Sequence, residues 1–305
     1  MAATTFPAVP PGCRRRLTVH YGPSVNSWVD TAPELLTTVA ARWSVTLDGY
    51  HDAGHASVIA TVTDRSGQSL LLKVWPDRDR YTREIYALQL WHRGAEAVVH
   101  ASDDGLAAAA LVTVGGIPGG ADRPPHEAGL VATALQRAHE TGRRSAGMPG
   151  LPSLHDFVTD EVLPRVRHRY AVTGMRLLAE HALPYISRLR EDPRRQTVLH
   201  ADLYRENVPF TRGGRPVLLD PLPMTGDTAY DWAFWCVYYQ LGHGTGRRLY
   251  QASRASGIPA EEILPWCLFL SLDGLLYYEE TGDSRTSEMT ALLNALIERA
   301  SRCPP

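Results

Sequence analysis

TVLHADLYRENVPFTRGGRPVLLD, residues 197–220, is the stretch on which the reading turns. Apolar Val198-Leu199 lead into His200-Ala201-Asp202, and Asn207 follows at the spacing H-x-D-x-x-x-x-N. Next come a short strand, Val208–Phe210, a Thr211-Arg212-Gly213-Gly214 turn, a second strand, Pro216–Leu219, and Asp220 at its end. A loop Asp, an Asn, a hairpin and a second Asp are what phosphoryl transfer to a hydroxyl requires. Asp202, on a loop, is placed to accept a hydrogen bond from an incoming alcohol and orient it. Asn207 and Asp220 fall at neighbouring ends of the hairpin, so both oxygens are candidates for one divalent cation. Mg²⁺ takes one or two such hard oxygens from protein and fills the rest of its shell with phosphate and water. His200 is expected to hold the loop rather than move protons. An ordinary hairpin with solvated acids is the competing reading, and the context upstream weighs against it.

That context begins with one residue. Of 31 Lys and Arg residues only Lys73 is a lysine. The chain is rich in Ala, Gly, Pro and Arg, so wherever a solvated cation suffices, Arg has been used. A sole lysine suggests a place that needs a compact ammonium, where a guanidinium fork will not do. Chance composition is the bland alternative, but Lys73 stands in the apolar run LLLKVWP (70–76), not on a polar face. It precedes Asp202 by about 130 residues, and from a strand its ammonium could meet the α- and β-phosphates of a nucleotide. Glu84, on the next predicted helix, is placed to hold it by an ion pair. Tyr50-His51-Asp52-Ala53-Gly54-His55-Ala56-Ser57 lies between the first two predicted strands with a single central glycine. It departs from G-x-G-x-x-G, yet it could cover phosphates through backbone N–H groups and the Ser57 hydroxyl. His51 and His55 are read as loop residues, not a metal pair.

The bulk properties narrow the remaining classes. A chain of 305 residues with 44% hydrophobic and 21% charged residues is globular, with room for one compound domain or two lobes. A net charge of -2 and a pI near 6.6 argue against nucleic acid as a partner. No apolar run reaches the roughly 18 residues of a membrane span, and the N-terminus shows no secretory pattern. Cys13, Cys236, Cys267 and Cys303 are scattered without CxxC spacing, which points to ordinary thiols in a reducing cytoplasm.

Periodicity predicts an α+β chain. Residues 1–29 read as an irregular leader, followed by a helix from about Ala32 to Trp43 capped by Asp30 or Thr31. Strands are expected over Val45–Tyr50, Ser57–Thr63 and Ser69–Trp75, a helix over Arg80–His92, and short strands over Val98–Ala101 and Leu106–Val114. The Gly/Pro-rich GGIPGGADRPP (115–125) reads as a linker, giving a lobe of residues 1–115 and another of 116–305. The second is mostly helical: Glu127–His139, Leu154–Val172, Arg176–Leu189, Asp231–Leu241, Arg247–Ala255, Glu261–Glu280 and Ser287–Ser301. Thr197–Asp220 is its β-like island.

These residues resemble the aminoglycoside phosphotransferase family of small-molecule kinases, which has the protein-kinase-like bilobal fold: a small β-sheet lobe with a helix and a larger, mainly helical lobe. Within it the branch of streptomycin 6-phosphotransferases and hydroxyurea phosphotransferases is the most similar. The resemblance rests on HADLYRENV (200–208), LLDPLPMTGDTAYDWA (218–233), LLLKVWP with REIYALQLW (83–91), and PELLTTVAARWSV (33–45), and it extends from about Val9 to Trp235. Ala201 stands where the family commonly has the Gly of H-G-D. Pro221 stands where more distant kinases have Phe, although Asp-Pro is usual in this branch. The resemblance implies ATP and Mg²⁺ as cofactors, Asp202 as catalytic base, Asn207 and Asp220 as metal ligands, and Lys73 on the ATP phosphates. It also implies that backbone groups of Leu111–Val114, Val112 and Val114 in particular, meet the adenine. Asp227 and Asp231 would brace the catalytic loop and cap the helix that follows.

The acceptor is less legible. Asp156, Asp160, Glu161, Glu206, Asp273, Glu279 and Glu280 are the acids a cationic antibiotic could use, with Glu206, in the catalytic loop, singled out for substrate binding. Trp266, Phe269, Tyr277 and Tyr278 read chiefly as helix core. The expected partner is a small-molecule acceptor, an antibiotic or natural product, and the chain is expected to be a monomer or homodimer. A metabolic kinase of a small alcohol or sugar would keep the same catalytic set. A non-catalytic nucleotide-binding module would be expected to have lost one of Lys73, Asp202, Asn207 or Asp220. A protein kinase is disfavoured, since the segment from Asp220 to Asp231 is too short for an activation loop and no A-P-E follows.

Overall fold

Pro11 occupies the first turn of a helix, where its missing N–H is no loss, and Cys13 and Leu17, four apart, are both buried. The result is α1 (Pro11–Tyr21), inside the segment expected to be irregular. Helix α2 (Asn26–Trp43) likewise begins before Ala32, because buried Val25 and Val29 continue upstream the stripe of Ala32, Leu36 and Val39. The computed structural model describes residues 6–144, 150–173, 176–187 and 189–302. Cys303 lies outside them; the other three cysteines are buried and free.

The chain divides into two compact units. The first comprises Met1–Pro124 with Pro209–Val217, the second Pro125–Val208 with Leu218–Pro305.

In the first unit five strands form one antiparallel sheet: β1 (Thr46–Tyr50), β2 (Val58–Thr63), β3 (Ser69–Val74), β4 (Val99–Asp103) and β5 (Ala108–Val112), in the order β1-β2-β3-β5-β4. Successive side chains on a strand point to opposite faces. Leu70, Leu72 and Val74 of β3 therefore join Val58, Ala60, Val62, Ala108 and Ala110 in a core closed by Leu17 of α1 and by Val29, Leu36 and Val39 of α2. Lys73 alternates to the opposite face, in register with Ile59 and Ala109. Helix α3 (Arg78–Trp91) follows, its start capped by the Asp77 carboxylate, which accepts from the N–H groups of Asp79 and Arg80.

The second unit is helical. It holds α4 (Glu127–Arg144), α5 (Leu154–Asp156), α6 (Leu163–Val172), α7 (Arg176–Ile186), α8 (Ala229–Tyr238), α9 (Thr245–Ser256), α10 (Ala260–Thr281) and α11 (Thr286–Arg302). The single helix expected over 154–172 is interrupted by a π-helical turn, Phe157–Val162. Pro164 cannot donate to the carbonyl four residues back, and the ladder absorbs the loss by widening, Leu163 N–H bonding to Val158 O. Helix α10, apolar nearly all round, packs against α6, α7, α8, α9 and α11. No helix among the described residues is long and apolar enough to cross a membrane.

The β-like island is built differently from expectation. β6 (Gln196–Leu199) pairs antiparallel with β7 (Met224–Asp227), beyond Asp220, not within the island. The two predicted hairpin segments are joined by separate backbone bonds, Val217 N–H to Pro209 O at 2.9 Å and Leu219 N–H to Asn207 O at 2.8 Å, without becoming continuous strands. Pro209 and Pro216 have no N–H to contribute, so a regular ladder cannot form there.

Candidate active site

The first unit supplies a buried cation. Lys73, 5% exposed, places Nζ 2.5 Å from Oε1 of Glu84, itself 1% exposed. The other carboxylate oxygen of Glu84 accepts from the Trp75 indole N–H at 3.0 Å, and Lys73 Nζ lies 4.9 Å from the Trp75 ring centre. An isolated buried ammonium would be strongly disfavoured; the paired carboxylate and the ring face together offset that cost and fix its direction. Residues 51–57 connect β1 to β2. Gly54 is required there for space: a Cβ would lie 2.2 Å from Ser57 O. Ser57 is 2% exposed, and its carbonyl accepts from Cys13 Sγ at 3.9 Å. Val112 closes β5 with its N–H on Val98 O at 2.8 Å, and buried Val114 opens a one-turn helix in which Gly115 and Gly116 take positive φ.

The second unit supplies the carboxylates. After β6 the chain turns at Ala201, whose φ of 56° is unusual for a residue with a side chain. Asp231, in the first turn of α8 and fully buried, forces this turn. Its Oδ2 accepts from His200 N–H at 2.8 Å and its Oδ1 from Ala201 N–H at 2.7 Å, while His139 Nε2 lies 2.9 Å from Oδ2. Burial alone would raise the Asp231 pKa; the His139 bond and charge, with His200 beside it, outweigh burial and hold it below the usual carboxylate value. His200 links two segments of the chain. Its Nδ1 accepts from Asp202 N–H at 3.3 Å, so Nε2 carries the proton it shares with Leu219 O at 3.0 Å. The imidazole thus ties the loop residue Asp202 to the residue before Asp220.

Asn207 closes the loop from the other end. Its Nδ2 donates to Asp202 O at 2.8 Å and to Asp202 Oδ2 at 3.0 Å. With both amide hydrogens committed to Asp202, the side-chain oxygen is the group Asn207 offers elsewhere. Asp220 takes φ 51°, a second strained position within one short segment. Asp202 and Asn207 therefore belong to one hydrogen-bonded loop in the second unit, which His200 ties to Leu219, the residue before Asp220; the chemistry of Asn207 and Asp220, an amide oxygen and a carboxylate, suits a hard cation such as Mg²⁺. Among the described residues no cluster of three or more His, Cys, Asp or Glu forms a metal cage.

The other acids separate clearly. Glu206 is exposed, and its charge helps keep Tyr204 and Tyr278 protonated, although burial is the larger cause for both. Asp273 is held by both arms of Arg165, at 3.0 and 2.6 Å, and Glu280 by Arg169 at 2.8 Å. Those two, candidates in the sequence, are occupied by arginines; helix spacing alone could not show it, because the partners come from α6, more than 100 residues away. Asp227 accepts from Arg195 Nη2 at 2.8 Å and from Ala229 N–H at 2.9 Å, joining β7 to the start of α8. Two contributors were missed in the sequence: His139, whose only mark was a polar residue on the apolar face of α4, and Glu127. Glu127 takes Arg205, between Asp202 and Asn207, at 3.0 Å and Gln240 at 2.9 Å.

Comparison with known proteins identifies the family and the fold. The profile of the family described as aminoglycoside/hydroxyurea antibiotic resistance kinase matches residues 42–282. The streptomycin 6-kinase of Streptomyces griseus is 25% identical over 239 residues, 76% of this chain and 75% of the relative. Among solved structures, an aminoglycoside phosphotransferase in ternary complex with AMP-PNP and hygromycin B has a TM-score of 0.61 at 17% identity, covering 88% of this chain and 99% of that one. A macrolide 2'-phosphotransferase type I gives 0.58 at 18% identity, with 87% and 96% covered. The fold is thus α+β and protein-kinase-like.

Proposed function

The chain belongs to the aminoglycoside/hydroxyurea antibiotic resistance kinase family, and from that premise we propose that it transfers the γ-phosphoryl group of ATP to a hydroxyl of an antibiotic or related natural product, so inactivating it. The observation that carries the reading is the hydrogen-bonded pair Asp202 and Asn207, in a loop that Asp231 braces at Ala201 and His200 ties to the residue before Asp220, in a chain whose sole lysine is buried against a carboxylate. Asp202 accepts the hydroxyl proton as the acceptor oxygen bonds to phosphorus and the bond to the ADP leaving oxygen breaks. Asn207 holds the Asp202 carboxylate in one orientation, so the acceptor hydroxyl meets a fixed acceptor atom. Lys73, kept in place by Glu84 and Trp75, is the point charge for the α- and β-phosphates. Asn207 and Asp220 would hold Mg²⁺, which when bound neutralises phosphate charge. Ser57 and the 51–57 backbone are assigned to the phosphates, Val112 and Val114 to the adenine, and Glu206 to the acceptor. We place the enzyme in the cytoplasm, where ATP is available.

The test is ADP release from Mg²⁺-ATP against streptomycin, hydroxyurea, other aminoglycosides, macrolides, nucleoside antibiotics and simple amino alcohols. Release that depends on one acceptor, and that falls by roughly 10²–10⁴ in Asp202→Ala with nucleotide binding retained, is the expected result. Turnover unchanged by that substitution overturns the assignment.

A further inference from the structure

The segment expected to be a leader grips the loop assigned to the phosphates. Arg16 of α1 donates Nε to Gly54 O at 2.9 Å and Nη2 to Asp52 O at 3.0 Å, and its Nη2 lies 2.5 Å from Asp52 Oδ1. Tyr21, at the end of the same helix, donates its hydroxyl to Ala56 O at 2.9 Å. Cys13 reaches Ser57 O, and Tyr50, where the loop begins, donates to Pro7 O at 2.6 Å. Contact is close enough that a Cβ on Gly12 would lie 2.9 Å from Asp52 Oδ2. Four loop carbonyls, those of residues 52, 54, 56 and 57, are thus taken by α1 side chains.

The direction of those bonds matters more than their number. No peptide bond among the described residues is cis. In a planar trans peptide the C=O and the following N–H point opposite ways. Drawing the carbonyls of Gly54 and Ala56 towards α1 therefore turns the peptide N–H groups of His55 and Ser57 away from it and constrains the conformation of the loop. Loop conformation decides which backbone N–H groups can meet an anion. A loop with one glycine in place of three has weaker intrinsic means of adopting such a conformation, and α1 supplies the constraint from outside.

We propose that α1 is a nucleotide-loop clamp, and that Arg16 and Tyr21 are positioning residues that set affinity for the ATP phosphates without taking part in the transfer. The proposal rests on the kinase reading above.

The experiment compares Arg16→Ala and Tyr21→Phe with Arg14→Ala in the full chain. Arg14 lies on the same helix but directs its guanidinium to Asp30 and Asn26, at 2.5 and 3.2 Å. The readouts are Mg²⁺-AMP-PNP affinity by calorimetry, amide exchange over residues 53–57, and the separate KM and kcat values. Arg16→Ala should weaken AMP-PNP about tenfold and raise KM for ATP to match, as loss of a charge-assisted contact to the loop would. Acceptor KM and kcat should stay within about twofold of wild type. Tyr21→Phe, which removes one hydroxyl without disturbing the fold, should act in the same direction more weakly. Arg14→Ala should lower thermal stability and leave AMP-PNP affinity alone. Unchanged affinity in both loop-contacting variants overturns the proposal, as does equal weakening in Arg14→Ala, which would mean that α1 acts only through stability. A wild-type chain that binds no AMP-PNP, or an Asp202→Ala variant that still turns over, sinks the kinase reading itself and the clamp with it.

Discussion

Of the four non-glycine residues with positive φ among the described residues, Ser44, Ala107, Ala201 and Asp220, two belong to the candidate site, Ala201 at φ 56° and Asp220 at φ 51°. They flank the same loop, and each is over-determined by neighbours: Ala201 by the Asp231 carboxylate, and the Asp220 region by His200 through Leu219. Glycine enters the left-handed region without a Cβ penalty, so Ala201→Gly should raise stability by up to about 1 kcal/mol in urea unfolding, while Ala201→Val, β-branched and buried, should lower it by more. A glycine variant less stable than wild type would mean that the turn carries no strain. Lys73 poses the opposite problem, one of shape. Its ammonium fits between Glu84 and the Trp75 ring with 5% exposure. Lys73→Arg should cut kcat/KM for ATP on the order of 10²-fold or more despite conserving charge, because the fork cannot occupy a site shaped for a point charge. A rate near wild type would show the single lysine to be an accident of composition. Both residues were legible in the sequence: Lys73 because it broke a compositional rule, and Ala201 because it replaced a glycine.

Elements were legible where one apolar period ran unbroken and illegible where a proline or a distant partner decided the outcome. Strands β2 and β3 and helix α3 follow directly from their patterns. Helix α1 was obscured by three consecutive arginines, although Pro11 and the Cys13/Leu17 pair marked it; the π-helical turn and the irregular hairpin each answer to prolines, which remove a donor where the ladder needs one. The brace on the 200–202 turn could be anticipated at Asp231 but not at His139, since the two meet only through the packing of α4 against β6 and α8. A substitution there tests the element as a unit. Asp231→Asn must turn an NH₂ towards His200 N–H or Ala201 N–H, leaving a buried donor facing a donor. It should cost about 3–5 kcal/mol of stability, the scale of breaking a buried charged partnership. Amide exchange at residues 200–202 should rise with it. Full stability in that variant would show that the turn at Ala201 does not depend on α8.

Across the whole chain the arrangement of titrating groups sets limits at both ends of the pH scale. Asp231 and Asp103 are held below the ordinary carboxylate value of 3.8. In each, burial is the largest single influence and acts upward, but it is outweighed by His139 and His200 for Asp231 and by the Leu106 N–H and Arg42 for Asp103. A carboxylate whose folded pKa is depressed contributes stability that is present above its unfolded pKa and lost as pH falls through the folded one. Tyr21 and Tyr50 are displaced the other way, chiefly by burial, from 10.0 up to about 12. Their folded state favours the neutral phenol, so this contribution is intact below pH 10 and disappears as pH climbs through about 12. The unfolding free energy measured against pH should therefore begin to fall below about pH 6.5, where His20, lowered chiefly by burial, must charge on unfolding, fall further below about pH 4, and fall again above about pH 10. The two limbs can be assigned separately. The stability gap between wild type and Asp231→Asn should narrow as acid protonates Asp231, because the variant has no carboxylate to lose. Replacing Tyr21 and Tyr50 together by Phe should make the alkaline limb shallower without abolishing it, since burial also raises Tyr81, Tyr204, Tyr230, Tyr238 and Tyr278, and should leave the acid limb untouched. A gap that stays constant from neutral pH into strong acid would mean that the buried Asp231 is not the charged acceptor its three partners require, and the brace under the 200–202 turn would have to be redrawn around His139.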